Sequence, residues 1–340
     1  MSLAVPERAR QIEAFLGGCG WGAAERAPLE DDASFRRYER VARGGETAVL
    51  MDAPPPMTDL SSFVRVDRLL LDLDLSAPRP IAVDEQAGLM LLEDFGDRTF
   101  TRVLGAGSAE APLYELAVDL LIALHARFAA GEAEAGGLPP YDDERLLEEV
   151  TRFLDWYLPE VTGRDTPAGE RAAFLEAWRA LFPIARAVPD SLVLRDYHLD
   201  NLMLLDGREG VGACGLLDFQ DAVIGPVTYD LVSLLEDARR DVSAELAESA
   251  TARYLASAPH LDRADFEASC AVLGAQRNTK IIGLFVRLWR RDGKPGYLPH
   301  IARVWHLLER DLAHEALVPL RDWFDRVLPA ELRRVPEERA

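Results

Sequence analysis

Lysine is almost missing from this chain. Of its 38 basic residues only Lys280 and Lys294 are lysines; the others are arginines. No lysine occurs in the first 95 residues, so an anion held there is balanced by some other cation or by none. Cysteine is scarce as well: Cys19, Cys214 and Cys270 are odd in number, widely spaced and free of any CxxC pair. That argues against a disulfide framework or a zinc knuckle and fits a reducing cytoplasm. No apolar run approaches the roughly 18 residues of a membrane span. The opening MSLAVPERARQIEAFL carries charges where a secretory signal needs its apolar region, so a soluble, cytoplasmic protein is expected. Basic charge is also short overall. The formal net charge is −20, against the basic footprint that nucleic acid or an anionic membrane surface would need. The expected partner is a small molecule; the oligomeric state is not legible.

What is present is enough apolar material for a large core. With 340 residues, 49% of them apolar, two lobes are the natural expectation. Residues 7–16 read as a short helix. SFRRYERVAR (34–43) and TAVLMD (47–52) read as strands turning through Gly44-Gly45. Thr58 is a candidate helix cap. Leu60, Phe63, Val64, Leu70 and Leu71 then share one helical face, and Asp67 lies within that stripe. PIAVD (80–84) and GLMLLED (88–94) form a second hairpin. After residue 100 the pattern is mostly helical, with strong stretches at 113–128, 143–158, 228–258, 264–291 and 299–314. Two short strands, 201–206 and 211–219, interrupt it. The composition changes near Glu93–Asp97, so the expected division is 1–95, sheet-rich, and 96–340, mostly helical.

The segment LVLRDYHLDNLMLLDGREGVGACGLLDFQD (192–221) carries the chemistry. Asp196 and Asn201 are five apart, and Asp218 follows one hairpin later. Phosphoryl transfer needs magnesium on the phosphates, a carboxylate to orient and deprotonate the acceptor, and rigid geometry. Magnesium takes oxygen ligands from one or two side chains plus phosphates and water. These three residues can supply those parts.

This segment resembles the protein-kinase-like superfamily, in the branch of aminoglycoside and other small-molecule phosphotransferases. The pattern H-[RG]-D-x-x-x-x-N, a hairpin, then D-[FI]-[GEQD], reads here Leu194-Arg195-Asp196 through Asn201, then Asp218-Phe219-Gln220. GPVTYDLVSLL (225–235) resembles the helix start that follows in these enzymes. The resemblance implies an α+β, bilobal protein-kinase-like fold with a small antiparallel-sheet N-lobe and a mostly helical C-lobe. It implies Asp196 as catalytic carboxylate, Asn201 and Asp218 as magnesium ligands, and ATP and Mg2+ as cofactors. It implies a nucleotide-binding lobe over 1–95, and adenine held near Glu93 and Phe95. Three family features are missing: the histidine before Arg-Asp, where Leu194 stands, the lysine of the third strand, where Met51 and Asp52 stand, and the glycine-rich loop. Ser34, Phe35 and backbone amides could cap phosphate oxygens instead, with charge from Arg36 or Arg37. Asp67 could partner such an arginine. His125, in IALHARF, reads as a packed core histidine, and Asp230 as a helix cap.

ASFRRY, LMDAPPP, LLEDFGD, LRDYHLDNLM and DGKPGYL together look like bacterial cell-wall-recycling sugar kinases, which phosphorylate the anomeric hydroxyl of N-acetylmuramate and N-acetylglucosamine. That resemblance implies an amino-sugar acceptor. His198, Trp156, Arg277 and Lys280 are then candidate sugar contacts, a cation such as Arg277 or Lys280 meeting the lactyl carboxylate. Another small-molecule kinase, a nucleotide-binding pseudokinase without turnover, and a metal-dependent hydrolase built on His198, Asp200 and Asp218 are the competing readings.

Overall fold

A computed structural model of the chain describes residues 5–29, 36–55, 60–128 and 137–337. By packing, the chain divides into two compact units, Met1–Leu120 with Asp200–Asp221, and Leu121–Leu199 with Ala222–Ala340. Composition changes once, near residue 95. Packing instead gathers residues 96–120 and the hairpin 200–221 with the first sheet.

The first unit is built on five antiparallel strands: β1 (Glu25–Pro28), β2 (Arg37–Arg43), β3 (Glu46–Asp52), β4 (Pro80–Asp84) and β5 (Leu89–Glu93), in the order β1-β2-β3-β5-β4. Strand alternation sends Val41, Ala48, Leu50, Leu89 and Leu91 to one face. There they pack on Ile12 and Leu16 of α1 (Val5–Gly18) and on Trp21. The opposite face, with Val49 and Leu92, lines a cavity. Gly44 and Gly45 both have positive φ, 55° and 86°, as the tight β2–β3 turn requires. Strand β1 has no apolar alternation, since all four of its residues are exposed, and so gives no signal in the sequence. It is held by its pairing to β2 and by Arg26 Nε on Glu39 Oε2 at 2.6 Å.

Helix α2 (Leu60–Asp72) buries Leu60, Phe63, Val66, Asp67 and Leu70. Val66 takes the inner place that Val64 and Leu71 were expected to share, because the buried stripe steps by three or four residues, Leu60, Phe63, Val66 with Asp67, and Leu70. Thr58, the expected cap, lies outside the described residues. Next come α3 (Phe100–Gly105) and α4 (Glu110–Arg127), then, further along the chain, the hairpin β7 (Leu202–Leu204) with β8 (Cys214–Leu216). Bridges Ser76–Gly215 and Thr99–Met203 tie this hairpin to the first unit.

The second unit is mostly helical. Helix α5 (Asp143–Arg152) runs into a π-helical turn, Phe153–Tyr157, and then α6 (Leu158–Thr162), where one continuous helix was expected. The turn packs against α10 (Arg263–Asp292) at Gly283, where a Cβ would come 2.3 Å from the Arg152 carbonyl carbon. Helix α7 (Ala168–Ala185) precedes a strand pair missed in the sequence, β6 (Asp190–Val193) with β9 (Val223–Pro226). Segment 228–258 is two helices, α8 (Thr228–Leu235) and α9 (Ala244–Ser257). Asp237 Oδ1 accepts from Arg239 N at 2.8 Å, and Ser243 Oγ caps α9 on Leu246 N; both local bonds compete with helix. Helices α11 (Ile301–Leu312) and α12 (Val318–Val327) complete the core around Phe153, Phe174, Trp305 and Phe324. His125 meets the Tyr254 hydroxyl through Nδ1 at 2.6 Å, a packed arrangement. Among the described residues no helix is long and apolar enough to cross a membrane.

Candidate active site

In the first unit, residues on the sheet face opposite α1 and the β7–β8 hairpin enclose a cavity of about 300 Å³. Val49, Phe63, Pro78, Leu92, Met203 and Leu217 make it apolar; Arg36, Glu93, Asn201 and Asp218 stand among its polar lining. An apolar slot with a few convergent polar groups is the usual form of a small-molecule site. Among those polar groups the Arg36 guanidinium suits an anion, whereas the Glu93 and Asp218 carboxylates would need a cation between them and one.

Segment 93–97 is held rigidly. Glu93 N donates to Arg79 O at 2.8 Å, and the Glu93 carboxylate accepts from Arg208. The Arg208 guanidinium also lies 5.2 Å from the Phe95 ring centroid, and Phe95 rests on Gly215, where a Cβ would come within 2.9 Å of the ring. Arg40 of β2 forks onto Asp94 at 2.7 and 3.1 Å and onto Asp97 at 3.0 Å. Burial would raise the Asp94 carboxyl, but Arg40 and the Gly96 amide hold it below its ordinary value. Arg40 was not singled out in the sequence; its signal was a cation in a strand facing two acids on the LEDFGD segment.

Asn201 and Asp218 line the same cavity. The hairpin fixes their spacing, with Leu217 N donating to Asn201 O at 2.9 Å. Thr101 Oγ1 donates to Asp200 Oδ1 at 2.5 Å, anchoring the turn before it. Asp218 adopts φ +56°, a left-handed conformation costly for a non-glycine residue, on the order of 1–3 kcal/mol. Its Oδ1 accepts from Gln220 Nε2 at 2.8 Å and lies 3.8 Å from Arg36 Nη1. The next residue, Phe219, packs its ring 4.9 Å from Phe63 of α2. One amide and one carboxylate offer hard oxygen donors of the kind magnesium accepts beside phosphates. Among the described residues no group of three or more His, Cys, Asp or Glu forms an all-protein metal cage.

Of the two candidate arginines, Arg36 lines the cavity, while Arg37 is exposed on β2 opposite Asp52. Ser34 and Phe35 lie outside the described residues. Asp67 is fully buried, and neither carboxylate oxygen meets a hydrogen-bond partner among the described residues. No arginine partner for it is found there. Burial pushes its pKa up to about 7, against the opposing effect of Arg68. A raised folded pKa means the folded protein holds this proton more tightly. Stability is then lost as pH rises from about 3.8 through about 7, and levels off above that. We expect Asp67→Asn to flatten that slope and to be relatively stabilised at pH 8, measured by denaturant midpoints at pH 5 and pH 8. Equal shifts at both pH values would contradict it.

In the second unit, Asp196 closes a loop whose preceding residue, Arg195, has φ +72°. The loop is gripped from below by α8. Asp230 accepts from Leu194 N at 2.6 Å and from Arg195 N at 2.9 Å, and Ser233 Oγ donates to Arg195 O at 3.3 Å. Asp230, expected as a helix cap, is not one: it sits inside the first turn of α8, whose N-cap position is Val227 with no side-chain cap bond, and its carboxylate goes to the loop amides. The Arg195 guanidinium pairs with Glu149 of α5, a residue that the sequence reading passed over. Its signal was a carboxylate inside the apolar stripe of Leu146, Val150 and Phe153, the same anomaly that marked Asp67. His198 is buried, and burial, with Arg239 adding to it, lowers its pKa; Asp237 and Asp196 oppose. Arg277 is buried on α10 and donates to Glu236 O at 3.1 Å. Lys280, expected at the sugar, is also buried, with its ammonium on the Tyr229 hydroxyl at 3.0 Å and 3.4 Å from Glu149. Trp156 lies in the π turn, partly buried against the helical core.

The profile of a family described as phosphotransferase enzymes matches residues 25–266. The N-acetylmuramate/N-acetylglucosamine kinase of Caulobacter vibrioides is 39% identical, over 96% of this chain and 99% of that protein. The protein of the same name from Pseudomonas aeruginosa is 38% identical over 90% and 92%. Among solved structures, a choline/ethanolamine kinase family protein from Mesorhizobium loti superposes with TM-score 0.62, at 11% identity over 93% of this chain and 98% of that one. Wild-type aminoglycoside 2'-phosphotransferase-IIIa in its GDP complex gives 0.62, at 16% identity over 90% and 98%. At such identities the likeness is one of fold, and it is the α+β kinase-like fold expected from the motif.

Proposed function

The chain belongs to the phosphotransferase enzyme family, and from that membership we propose an ATP-dependent sugar kinase that phosphorylates the anomeric hydroxyl of N-acetylmuramate and N-acetylglucosamine in peptidoglycan recycling. The observation that carries this reading is 39% identity, nearly end to end, to a relative of that name. The cavity of the first unit supports a nucleotide. Its apolar walls suit adenine, segment 93–95 offers backbone groups at its edge, and Asn201 and Asp218 suit magnesium. Magnesium, when bound, supplies charge neutralisation to the phosphates. Asp196 orients the acceptor hydroxyl and takes its proton as the phosphoryl group arrives. His198 and Arg277 are the proposed sugar contacts, and Arg277 suits the lactyl carboxylate of a muramate.

The direct test is phosphorus NMR of the product made from each sugar with magnesium and ATP. Coupling of phosphorus to the anomeric proton is expected; phosphate on any other carbon would overturn the reading. Met51, where the family carries lysine, favours one second reading, a nucleotide-binding module without turnover. Bound nucleotide with no phosphorylated sugar would establish it.

Arg36 and Arg40 both line the cavity; Arg40 is tied to Asp94 and Asp97, so Arg36 is the cation proposed to meet phosphates in lysine's stead. Arg36→Ala is expected to raise the KM for ATP roughly tenfold, the scale of one charge-assisted hydrogen bond. Arg37→Ala, an exposed residue outside the cavity lining, is expected to change it less than about twofold. Steady-state kinetics with varied ATP decides, and an unaltered KM in the Arg36 variant excludes the role.

A further inference from the structure

We infer that Glu149 is a positioning residue for phosphoryl transfer, acting on Asp196 through Arg195. The inference rests on the reading of Asp196 given above. It starts from a mismatch at Arg195. A left-handed φ of +72° is natural for glycine and strained for arginine. Glycine would hold that backbone without strain, so the use of arginine here points to work done by the side chain. That side chain is 17% exposed and ends on Glu149, which is itself 3% exposed. The backbone on both sides of Arg195 is fixed by Asp230 and Ser233. The Glu149 contact, beside the Tyr141 ring 5.5 Å away, adds a hold through the side chain of the residue immediately before Asp196.

Glu149 is unusually well fixed for a lone buried carboxylate. Oε1 receives Arg195; Oε2 receives the Tyr141 hydroxyl at 2.6 Å and Gln276 Nε2 at 3.1 Å, with Lys280 Nζ at 3.4 Å. Tyr141 is itself wedged on Gly225, where a Cβ would meet its Cβ at 2.9 Å. Gln276, Lys280 and Gly283 are spaced i, i+4, i+7, one stripe of α10. The close approach at Gly283 brings that stripe onto α5, so helix packing delivers the donors to Glu149. Burial alone would raise this carboxyl, but Lys280 and Arg195 hold it at about 2, leaving it ionised at every physiological pH. Lys280, one of the two lysines in the chain, thus serves the loop from within the helical core.

A double-mutant cycle tests this. Glu149→Gln and Arg195→Met are each expected to lower kcat by about ten- to a hundredfold, with KM for ATP and sugar moving less than about threefold. The double variant is expected to be no worse than the poorer single one, because both remove one coupled contact. Lys280→Met, which leaves Oε1 and two donors on Oε2 in place, is expected to lower kcat less than Arg195→Met. Should Glu149→Gln fail to fold, Glu149→Asp keeps the charge and shortens the reach by one methylene; it is expected to fold and to lose kcat. Additive losses in the cycle would overturn the inference. So would a lowered melting temperature with kcat per folded molecule unchanged, or a raised sugar KM with kcat intact. An active Asp196→Asn enzyme would instead remove the premise, so the two failures are distinguishable.

Discussion

Asp196→Asn is expected to lower kcat by about two to four orders of magnitude, the range of general base catalysis, while nucleotide affinity and melting temperature stay close to those of the parent. The substitution is nearly isosteric. The loop is held through backbone groups of Leu194 and Arg195 on Asp230 and Ser233, none of which the change touches. What is lost is the proton acceptor. Turnover and nucleotide titration on the same preparation decide the matter: turnover within tenfold of the parent would remove Asp196 from the chemistry, and lost nucleotide binding would point to a structural effect.

Asp218→Ala is expected to abolish the gain in ATP affinity that magnesium provides and to lower turnover by about two to three orders of magnitude, the scale of several kcal/mol of charge stabilisation. Without metal the sign differs. Asp218 lies 3.8 Å from Arg36, so its removal leaves that guanidinium more available to phosphate. Metal-free ATP should then bind at least as tightly as to the parent. ATP titrations with magnesium and with chelator separate the two effects. A magnesium dependence equal to that of the parent would sink the metal role. Weaker binding in chelator would sink the balance proposed between Asp218 and Arg36.

The two holds on the Arg195 loop differ in how they could be found. Asp230 was visible, because its helix start has a recognisable pattern, although its bonds to the loop amides were not. Glu149 lies 46 residues before Arg195. Only the packing of α5 on α10 brings it there, and a one-dimensional pattern carries no register between helices that distant. The same holds for Lys280 and for the strand pair β6–β9, which joins segments thirty residues apart by backbone bonds that any side chains could make. Arg36 and Arg37 were equivalent in sequence; Arg36, just before β2, lines the cavity, while Arg37, its first residue, is exposed. Charged residues placed inside apolar stripes, Asp67 and Glu149, were the one sequence signal of buried electrostatics, and their environments shift their pKa values in opposite directions.

By itself the sequence determined the α+β class, the hairpins at Gly44-Gly45 and residues 80–94, and the spacing of Asp196, Asn201 and Asp218. These are local facts, set by alternation, turn chemistry and a short loop. It also determined that almost no lysine is available to grip a phosphate. Tertiary structure decided that Arg36 and not Arg37 lines the cavity, that Asp67 is left without a partner among the described residues, and that Lys280 is committed to Tyr229 and Glu149. Each of these depends on which groups share a buried volume. In such a volume the cost of an unpaired charge, rather than any preference along the chain, selects the partner.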